Sequence, residues 1–475
     1  MENFIDGKWT KPLSGKYGDI TNPVTGEAFE KVPHSNVDDV DVVMESAYKA
    51  FKKWKKVPVA DRAKLQHKGA QLMRDHADEL GNLLANELGR PVAACIREIN
   101  RSADLTDYYA EEGLRLKGEI PLHNIEGERA MIIREPIGVV VSITSFNYPI
   151  ALLTMKLGAA LITGCTIVSK PSDETPLSTM RIAELFSEAG YPDGVFNVIT
   201  GRGRDIGDAL VTHKHTAKIA FTGGTNTGKR IGSLAAQHNK RVTLELGGQS
   251  PVIVCADADL KVAVPAIVKH TFANSGQFCY RVGRIYVHAD IYDDFVAKAT
   301  EQTKKLTVGK QFSGCDMGPM ISEKIYKTSE EQTADAKKKG ATVTTGGERL
   351  KGEQYDKGWF FPPTIIADTD HSMNIMNEET FGPVAGIMKF TDNEEAVALA
   401  NDSVYGLAAY VFTGELGAGL RIAEELEAGS VWVNNIQRSY HDVPFGGVKQ
   451  SGIGREKGRY GIESFTELKT IYYSY

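Results

Sequence analysis

The sequence lacks the charge excess that is typical of proteins binding nucleic acids or anionic membranes. Its 475 residues contain 55 lysines and arginines against 61 aspartates and glutamates, and the formal net charge at pH 7 is −6. A weakly acidic chain gives no electrostatic reason to expect either partner. We therefore expect neither a nucleic acid nor a membrane as partner.

Cysteines are few, and their spacing matches neither a disulfide scaffold nor a zinc-binding motif. There are five, an odd number, and no two have CxxC spacing. This pattern argues against a disulfide scaffold and against a zinc site, so no metal is expected. The N-terminal MENFIDGKW shows no basic region followed by an apolar run. We expect a reducing, cytoplasmic setting.

Long apolar runs are also scarce. The stretch 150–168 is nearly free of charge and almost long enough to span a membrane. It contains Lys156, and Gly164 interrupts it before a β-type run. We interpret it as a buried helix followed by a strand.

What the sequence does have is a regular alternation of strand and helix patterns. Helical spacing dominates 40–54, 60–86 and 93–116. From residue 135 onward, short β-rich runs alternate with helical stretches, and a second such region begins near residue 249. This order predicts an α/β protein with parallel sheets covered on both faces, and ligands at the carboxyl ends of the strands.

Two residues stand out because simple packing does not explain them. Glu245 interrupts an apolar strand pattern, where an unpaired carboxylate is costly to bury. Cys279 lies in a glycine-containing turn, where a nucleophile is commonly placed. Taken alone, Cys279 fits a small buried apolar residue as well as it fits a reactive thiol.

A glycine-rich segment, from Gly223 and Gly224 to Gly228 and Lys229, follows a strand and opens a helix. It matches the first part of a P-loop, but the next residue is Arg230 instead of the Ser or Thr that holds magnesium. Free N–H groups at a helix start still suit a phosphate, so dinucleotide binding stays open beside a purely structural turn.

Two further strand ends carry polar side chains. Asn147 could donate to a developing oxyanion or cap the helix that follows Pro149. Lys170, with Asp173 close behind it, could bind ribose hydroxyls or belong to a solvated turn. Spacing alone does not separate these alternatives.

Taken together, the motifs resemble the aldehyde dehydrogenase superfamily over essentially the whole chain. No single motif is specific, but their number, order and spacing make chance agreement very improbable. The matching segments are FNYP at 146–149, KP at 170–171, TP at 175–176, FTG at 221–223, ELGG at 245–248, GQ before Cys279, E with FGP at 379–383, and PFGG leading to KQSG at 444–452.

The resemblance implies a catalytic assignment. Cys279 would attack the aldehyde carbon, and Asn147 with the Cys279 backbone N–H would form the oxyanion hole. Glu245 would activate the water that hydrolyses the thioester. The branch of the family that transfers the acyl group to coenzyme A lacks this glutamate, so the hydrolytic type is implied.

The resemblance also implies a nicotinamide dinucleotide as cofactor. Lys170 and Asp173 would lie at the adenosine ribose, and Gly224 near the pyrophosphate. The complete set of implied cofactor residues is Phe146, Lys170, Asp173, Gly223, Gly224, Glu379 and Phe381. Three of them depart from common family residues: Phe146 is often Trp, Gly224 often Ser and Asp173 often Glu. A carboxylate at 173 repels a 2′-phosphate, yet Asp is short, so NAD is favoured and NADP stays possible.

For the substrate, Arg101 and Arg438 match arginines that line the aldehyde pocket in the non-phosphorylating glyceraldehyde-3-phosphate and lactaldehyde dehydrogenase branch, as does Tyr148. Two guanidinium groups suit a phosphate, sulfonate or carboxylate. That branch has Arg just before the nucleophile, where this sequence has Phe278. Glyceraldehyde 3-phosphate is therefore in doubt, and lactaldehyde or succinate semialdehyde stay open. The predicted substrate residues are Arg101, Tyr148, Phe278, Tyr280, Arg281, Arg438 and Ser439; the alternative places both Arg101 and Arg438 in unrelated surface ion pairs.

We accordingly predict an NAD(P)-dependent aldehyde dehydrogenase acting on a small aldehyde. Residues 1–115 and 135–248 would form a Rossmann-type nucleotide domain, and 249–450 a catalytic α/β domain. Residues 116–134 and 451–475 would form a small β-rich oligomerisation element of a homodimer or homotetramer. The alternatives from other classes are a P-loop-like phosphate-transfer enzyme and a silent dinucleotide-binding scaffold.

Overall fold

The computed structural model describes residues 1–122, 125–436 and 440–475. The α-helices are α1 (Val37–Trp54), α2 (Val59–Asp75), α3 (Ala77–Leu88), α4 (Val92–Gly113), α5 (Pro149–Thr163), α6 (Leu177–Glu188), α7 (Gly203–Thr212), α8 (Thr225–Gln237), α9 (Leu260–Phe272), α10 (Tyr292–Lys304), α11 (Glu323–Lys338), α12 (Asn374–Asn377), α13 (Asn393–Asn401), α14 (Leu416–Glu425) and α15 (Gly458–Glu463).

The strands are β1 (Asn3–Ile5), β2 (Lys8–Thr10), β3 (Tyr17–Thr21), β4 (Ala28–Pro33), β5 (Glu128–Pro136), β6 (Val139–Ile143), β7 (Thr166–Lys170), β8 (Phe196–Val198), β9 (Thr216–Thr222), β10 (Arg241–Glu245), β11 (Ser250–Val254), β12 (Val282–His288), β13 (Thr342–Thr345), β14 (Thr364–Ala367), β15 (Val384–Phe390), β16 (Tyr405–Gly406), β17 (Ala408–Phe412), β18 (Ser430–Val433), β19 (Val448–Lys449), β20 (Gly452–Ile453) and β21 (Thr466–Ser474).

The first large sheet has the order β2-β1-β8-β7-β6-β9-β10-β20. Its five central strands, from β8 to β10, are parallel, and the strands at both ends pair antiparallel. The apolar run 150–168 forms α5 and β7, and almost all its side chains are buried. Within the described residues, no helix is long and apolar enough to cross a membrane. The reading of this run as buried helix and strand is confirmed.

The second large sheet has the order β13-β14-β15-β12-β11-β17-β18 and is parallel except for the pair of β13 with β14. Apolar clusters fill both of its faces. The predicted α/β class is therefore confirmed, because parallel strands covered by helices build both sheets. The domain boundaries stay predictions.

One predicted helix is wrong in its extent. The stretch 60–86 forms two helices, α2 and α3, which meet at His76. His76 leaves the helical region with φ −102° and ψ 15°, and its ring contacts the Glu79 carboxylate in the first turn of α3 at 2.7 Å. The apolar spacing runs through this break without a glycine or proline, so it gave no signal of it.

The tail, which was predicted to combine with residues 116–134 into one element, forms a two-stranded ribbon with β5. β21 pairs antiparallel with β5 over nine residue pairs, from Thr466 with Pro136 to Ser474 with Glu128. The tail is also tied to the first sheet, since β20 pairs with β10 and α15 packs on α4 and α5. Its role in oligomerisation stays a prediction.

Candidate active site

A cavity of about 980 Å³ opens where several strands of the two sheets end or begin. Its lining includes segments that follow β6, β9 and β10, and the loops that precede β12 and β15. This is the expected position for a ligand of parallel sheets, since strand ends leave backbone groups and loop side chains facing one crevice. The cavity brings Cys279, Asn147 and Glu379 together.

The loop that carries Cys279 has an unusual backbone. Asn274, Ser275 and Gly276 have φ of 49°, 56° and 76°, three successive residues in the left-handed region. A Cβ on Gly276 would lie 2.2 Å from the Gly382 carbonyl oxygen, so only glycine fits there. Ser275 donates to the Gly318 carbonyl at 2.8 Å, and Gln277 accepts from the Ile321 N–H at 2.9 Å. The strained loop is thus held from outside, as is common at active sites.

Cys279 lies at the end of this loop, and its residue is half-buried. Burial, together with the Glu245 and Glu379 carboxylates, raises the pKa of the Cys279 thiol. A thiol of this kind reacts only when a nearby base removes its proton. The remaining four cysteines are free as well, and three of them are buried.

Glu245 is the last residue of β10 and is 2% exposed. Neither carboxylate oxygen has a hydrogen-bond partner among the described residues. Burial and the charge of Glu456 raise the pKa of Glu245 well above its usual value, and the cations of Lys156, Arg455 and Lys457 oppose that shift. Glu245 does not itself line the cavity, and a Cβ on Gly446 would lie 2.6 Å from its Oε1.

Asn147 lines the cavity, and its backbone is fixed from two sides. Its carbonyl oxygen accepts from Arg90 at 3.3 Å and from Asn274, on the nucleophile loop, at 3.1 Å. The side-chain Oδ1 has no partner among the residues described. The helix start that Asn147 could have capped is capped by Glu98, which accepts the N–H groups of Ile150 and Ala151 at 3.0 Å. The geometry therefore favours the oxyanion interpretation over the capping one.

Aromatic side chains form one wall of the cavity that Cys279 lines. Tyr148, Phe278 and Tyr280 all line the cavity. Phe278 packs edge-on against Tyr148 and Tyr280, with ring centroids 6.2 and 5.1 Å apart, and Tyr280 packs on Phe445 at 5.4 Å. These three predicted substrate residues thus meet at one wall of the cavity that Cys279 also lines.

The predicted substrate contact of Arg281 is not supported by its position. Arg281 is 1% exposed and does not line the cavity. Its guanidinium donates to the carbonyls of Val384 at 2.7 Å and Val282 at 3.3 Å, and burial lowers its pKa to about 10. Tyr280 and Arg281 are neighbours in the chain, but only Tyr280 lines the cavity.

The glycine segment after β9 presents an open helix start to the cavity. Gly224 is the N-terminal cap of α8, has no side-chain cap, and a Cβ there would meet no atom within 4 Å. Gly223 and Gly224 both line the cavity. Lys229 lies outside the lining and donates to the Gln450 side chain at 2.8 Å, on the surface. A P-loop lysine must reach the phosphates, so this geometry speaks against the phosphate-transfer alternative.

The other predicted cofactor residues divide into two groups. Phe146, Glu379 and Phe381 line the cavity, with the two phenyl rings edge to face at 5.7 Å. Glu379 accepts from the Gly248 N–H at 3.0 Å, and burial raises its pKa to about 7. Lys170 and Asp173 lie outside this lining and form an ion pair at 2.7 Å.

This half of the cavity fits a dinucleotide. A Cβ on Gly247 would lie 2.7 Å from the Glu379 carboxylate, so the glycine keeps a carboxylate and a helix start next to one groove. The carboxylate suits ribose hydroxyls, and the free N–H groups of α8 suit a pyrophosphate. Bound there, the cofactor would supply hydride acceptance.

Of the two predicted substrate arginines, Arg101 lies on α4, lines the cavity and is exposed. Arg438 and Ser439 lie outside the described residues. Whether the two arginines converge stays a prediction.

Sequence reasoning missed two groups near the site. Lys156, in the middle of α5, is fully buried, with its Nζ 2.7 Å from the Glu456 carboxylate and 2.8 Å from the Thr222 hydroxyl. Lys457 follows Glu456 in the chain and, unlike Lys156, lines the cavity. Lys156 was visible in the sequence as a charge inside an apolar run, but its partner lies 456 − 156 = 300 residues away.

The family model for "Aldehyde dehydrogenase family" matches residues 9–471. The chain is 40% identical over 472 residues to the mitochondrial succinate-semialdehyde dehydrogenase of Arabidopsis thaliana, covering 99% of this chain and 88% of that protein. It is 39% identical to an NADP(+) succinate-semialdehyde dehydrogenase of Escherichia coli, covering 99% and 97%. A 3-sulfolactaldehyde dehydrogenase of Pseudomonas putida is 38% identical, covering 99% and 96%.

Solved structures agree. Betaine aldehyde dehydrogenase of Staphylococcus aureus, in complex with NAD+, superposes with a TM-score of 0.97 at 36% identity, covering 99% of this chain and 94% of that one. The aldehyde dehydrogenase-like fold implied by the sequence motifs is confirmed. The chain belongs to the aldehyde dehydrogenase family and is an NAD(P)-dependent oxidoreductase.

Proposed function

We propose that this enzyme oxidises a small anionic aldehyde to the carboxylic acid through a thioester on Cys279. The observation that carries the proposal is the placement of the Cys279 loop against Asn147, joined by the Asn274 side chain and facing one cavity. A nucleophile and an oxyanion donor fixed to each other are what acyl chemistry needs.

In the first half-reaction, the Cys279 thiol gives its proton to water, which carries it to solvent, and Sγ attacks the aldehyde carbon. The Asn147 amide and the Cys279 backbone N–H stabilise the resulting oxyanion. Bound NAD(P)+ supplies the hydride acceptor. When the oxyanion collapses, the carbon gives up its hydride and a thioester to Sγ remains.

In the second half-reaction, Glu245 takes a proton from water, and the water oxygen attacks the thioester carbonyl. The C–S bond then breaks and releases the acid, and the sulfur takes the proton that Glu245 removed from water, which restores both the thiol and the Glu245 carboxylate. The raised pKa of Glu245 suits this role, since it makes the carboxylate a stronger proton acceptor than an ordinary glutamate. Glu245 does not line the cavity, so its side chain must rotate toward Cys279 to act as the base.

An anionic substrate is supported by the position of Arg101 and by the relatives. Arg101 lines the cavity that contains Cys279. The relatives are named for succinate semialdehyde and 3-sulfolactaldehyde, which carry a carboxylate and a sulfonate. A guanidinium group binds either anion. The likeness to the non-phosphorylating glyceraldehyde-3-phosphate and lactaldehyde dehydrogenase branch stays a prediction.

For the cofactor, NAD is favoured over NADP. Asp173 holds Lys170 in an ion pair at 2.7 Å, so the lysine charge is already matched by a carboxylate. A 2′-phosphate near this pair would meet that carboxylate.

Homo-oligomeric assembly and a cytoplasmic location complete the proposal. The ribbon of β5 and β21 presents exposed apolar side chains, including Leu468 at 63% and Tyr472 at 79% exposure. An edge of this kind is suited to a second copy of the chain. All five cysteines are free thiols, as a reducing compartment would keep them.

The test is NADH formation with a panel of aldehydes that carry a carboxylate, sulfonate or phosphate, alongside neutral ones. We expect turnover of anionic aldehydes and its loss in Cys279→Ala, with NAD binding retained. Activity persisting in Cys279→Ala would refute the mechanism. Nucleotide binding without any turnover across the panel would favour a silent scaffold.

A further inference from the structure

Lys457 has a backbone conformation that a side chain rarely adopts. Its φ is 60° and its ψ 172°, in the region that favours glycine. Hydrogen bonds of its own N–H and of the preceding residue hold it there. Its N–H donates to the Tyr109 hydroxyl at 3.2 Å, and the neighbouring Glu456 exchanges backbone hydrogen bonds with Phe445 at 2.7 and 2.8 Å. Strain that is held in this way often marks a functional residue.

The side chain of Lys457 turns into the active-site cavity. The residue is only 7% exposed, yet it lines that cavity together with Arg101, His441 and Phe445. The ammonium lies 5.6 Å from the centroid of the Phe445 ring, which also packs on Tyr280 beside the nucleophile. Lys457 therefore places a positive charge on the wall adjoining the aromatic surroundings of Cys279.

Lys457 and Arg101 are two cationic side chains that line the same cavity. Burial and the charge of Arg101 lower the pKa of Lys457 to about 8, against the opposing effects of Glu456, Glu245 and Cys279. The charges of Lys457 and Arg101 also add to the burial that lowers the pKa of His441. Two cations that disfavour each other across a cavity are relieved by an anion placed between them.

His441 adds a polar group to the same wall. Its Nδ1 is buried and has no hydrogen-bond partner within 1–122, 125–436 and 440–475. A buried ring nitrogen of this kind usually has a partner, and a bound ligand can provide it. Lysine, arginine and histidine thus border one part of the cavity.

We propose that Lys457, together with Arg101, binds the anionic group at the far end of the aldehyde and sets the enzyme's preference for charged over neutral substrates. This inference rests on the proposed function. It gives the charge selectivity to a buried residue that holds a glycine-type backbone conformation on the cavity wall. The ligand chemistry is a carboxylate or sulfonate carried a short distance from the aldehyde carbon.

The experiment compares succinate semialdehyde with butanal, which has the same number of carbons and no charge. Lys457→Met removes the charge and keeps the length, Lys457→Arg keeps the charge, and Lys457→Gly suits the local backbone. Lys269→Met is the matched control, because Lys269 is an exposed lysine on the rim of the same cavity. Each variant is assayed for kcat/KM with both aldehydes.

We expect Lys457→Met to lower kcat/KM for succinate semialdehyde by roughly 10- to 100-fold, the usual effect of losing a hydrogen bond to a charged group, with a much smaller loss for butanal. Lys457→Arg should keep most of the discrimination, and Lys269→Met all of it. If Lys457→Met does not fold, Lys457→Gly gives the same comparison without backbone strain.

The pH profile gives a second readout. The wild-type ratio of kcat/KM for the two aldehydes should fall as pH rises through about 8, where Lys457 loses its proton, and this fall should be absent in Lys457→Arg. Equal losses for both aldehydes in Lys457→Met would overturn the inference and assign Lys457 to the tuning of Cys279 or Glu245. Unchanged discrimination would overturn it as well. A wild-type enzyme that oxidises neither aldehyde nor any other anionic one would instead refute the proposed function.

Discussion

Replacing Asn147 by alanine separates chemistry from folding at this site. The backbone of Asn147 is held by Arg90 and Asn274 through its carbonyl oxygen, which the substitution keeps. The following helix start is capped by Glu98, so no cap is lost. The side-chain amide faces the cavity, and its Oδ1 makes no hydrogen bond within the described part of the chain. The change should therefore remove an oxyanion donor and little else.

Loss of one oxyanion donor usually lowers the rate by about 100- to 1000-fold, or roughly 3 to 4 kcal/mol of transition-state stabilisation. We expect that loss in kcat for aldehyde oxidation, measured as NADH formation. The midpoint of thermal unfolding should change little. The substitution replaces the Asn147 amide, whose buried Oδ1 has no hydrogen-bond partner among the described residues, by a methyl group.

Asn274→Ala is the matched control. It removes the amide that bridges the nucleophile loop to the Asn147 carbonyl, so both activity and thermal stability should fall. A loss below about tenfold in Asn147→Ala, with folding intact, would show that the amide does not stabilise the oxyanion.

Further predictions follow from other residues. Glu245→Gln should keep a first-turnover burst of NADH but slow steady turnover by about 100-fold or more, since only thioester hydrolysis needs the base; stopped-flow absorbance measures both phases, and normal steady turnover would mean that another base acts. Lys229→Ala should leave dinucleotide affinity and kcat nearly unchanged, because its ammonium lies on Gln450 outside the cavity, and a large loss would revive the phosphate-transfer alternative. Asp173→Ser should improve kcat/KM with NADP relative to NAD by removing a carboxylate beside Lys170, and an unchanged ratio would place the 2′-position elsewhere. Burial raises the pKa of Glu87, whose carboxylate accepts the N–H groups of Leu177 and Ser178, to about 7. Because the folded pKa is the higher one, the free energy of unfolding of the wild type relative to Glu87→Gln should be greatest below the unfolded pKa and fall by roughly 3 kcal/mol as pH rises through about 7; denaturant titrations at several pH values test this, and a pH-independent difference would contradict it.

Local patterns predicted much of the fold and the main reactive groups. Parallel strands need apolar runs and helices need periodic ones, so the alternation after residue 135 identified both sheets. Glu245 and Cys279 were identifiable because each contradicts its surroundings, a carboxylate in an apolar strand and a thiol in a glycine turn. The structure keeps both anomalies, since Glu245 is buried without a hydrogen-bond partner among the described residues.

The errors arose where side-chain direction or distant contacts decide the outcome. Arg281 was assigned to the substrate because it lies two residues after Cys279, yet its guanidinium binds the carbonyl of Val384. Lys457 was missed because its direction depends on a single left-handed φ. Neither a direction nor a φ value is encoded in spacing along the chain.

The bridge from Asn274 to the Asn147 carbonyl has a consequence for how the enzyme loses activity. Asn147 follows a strand of the first sheet, whereas Asn274 belongs to the loop that leads into the second. The reactive pair therefore exists only while the two sheets keep their relative position, even if each sheet stays intact. Under mild denaturant, turnover should disappear before the helical circular dichroism signal does. The catalytic rate therefore reports on the relative position of the two sheets.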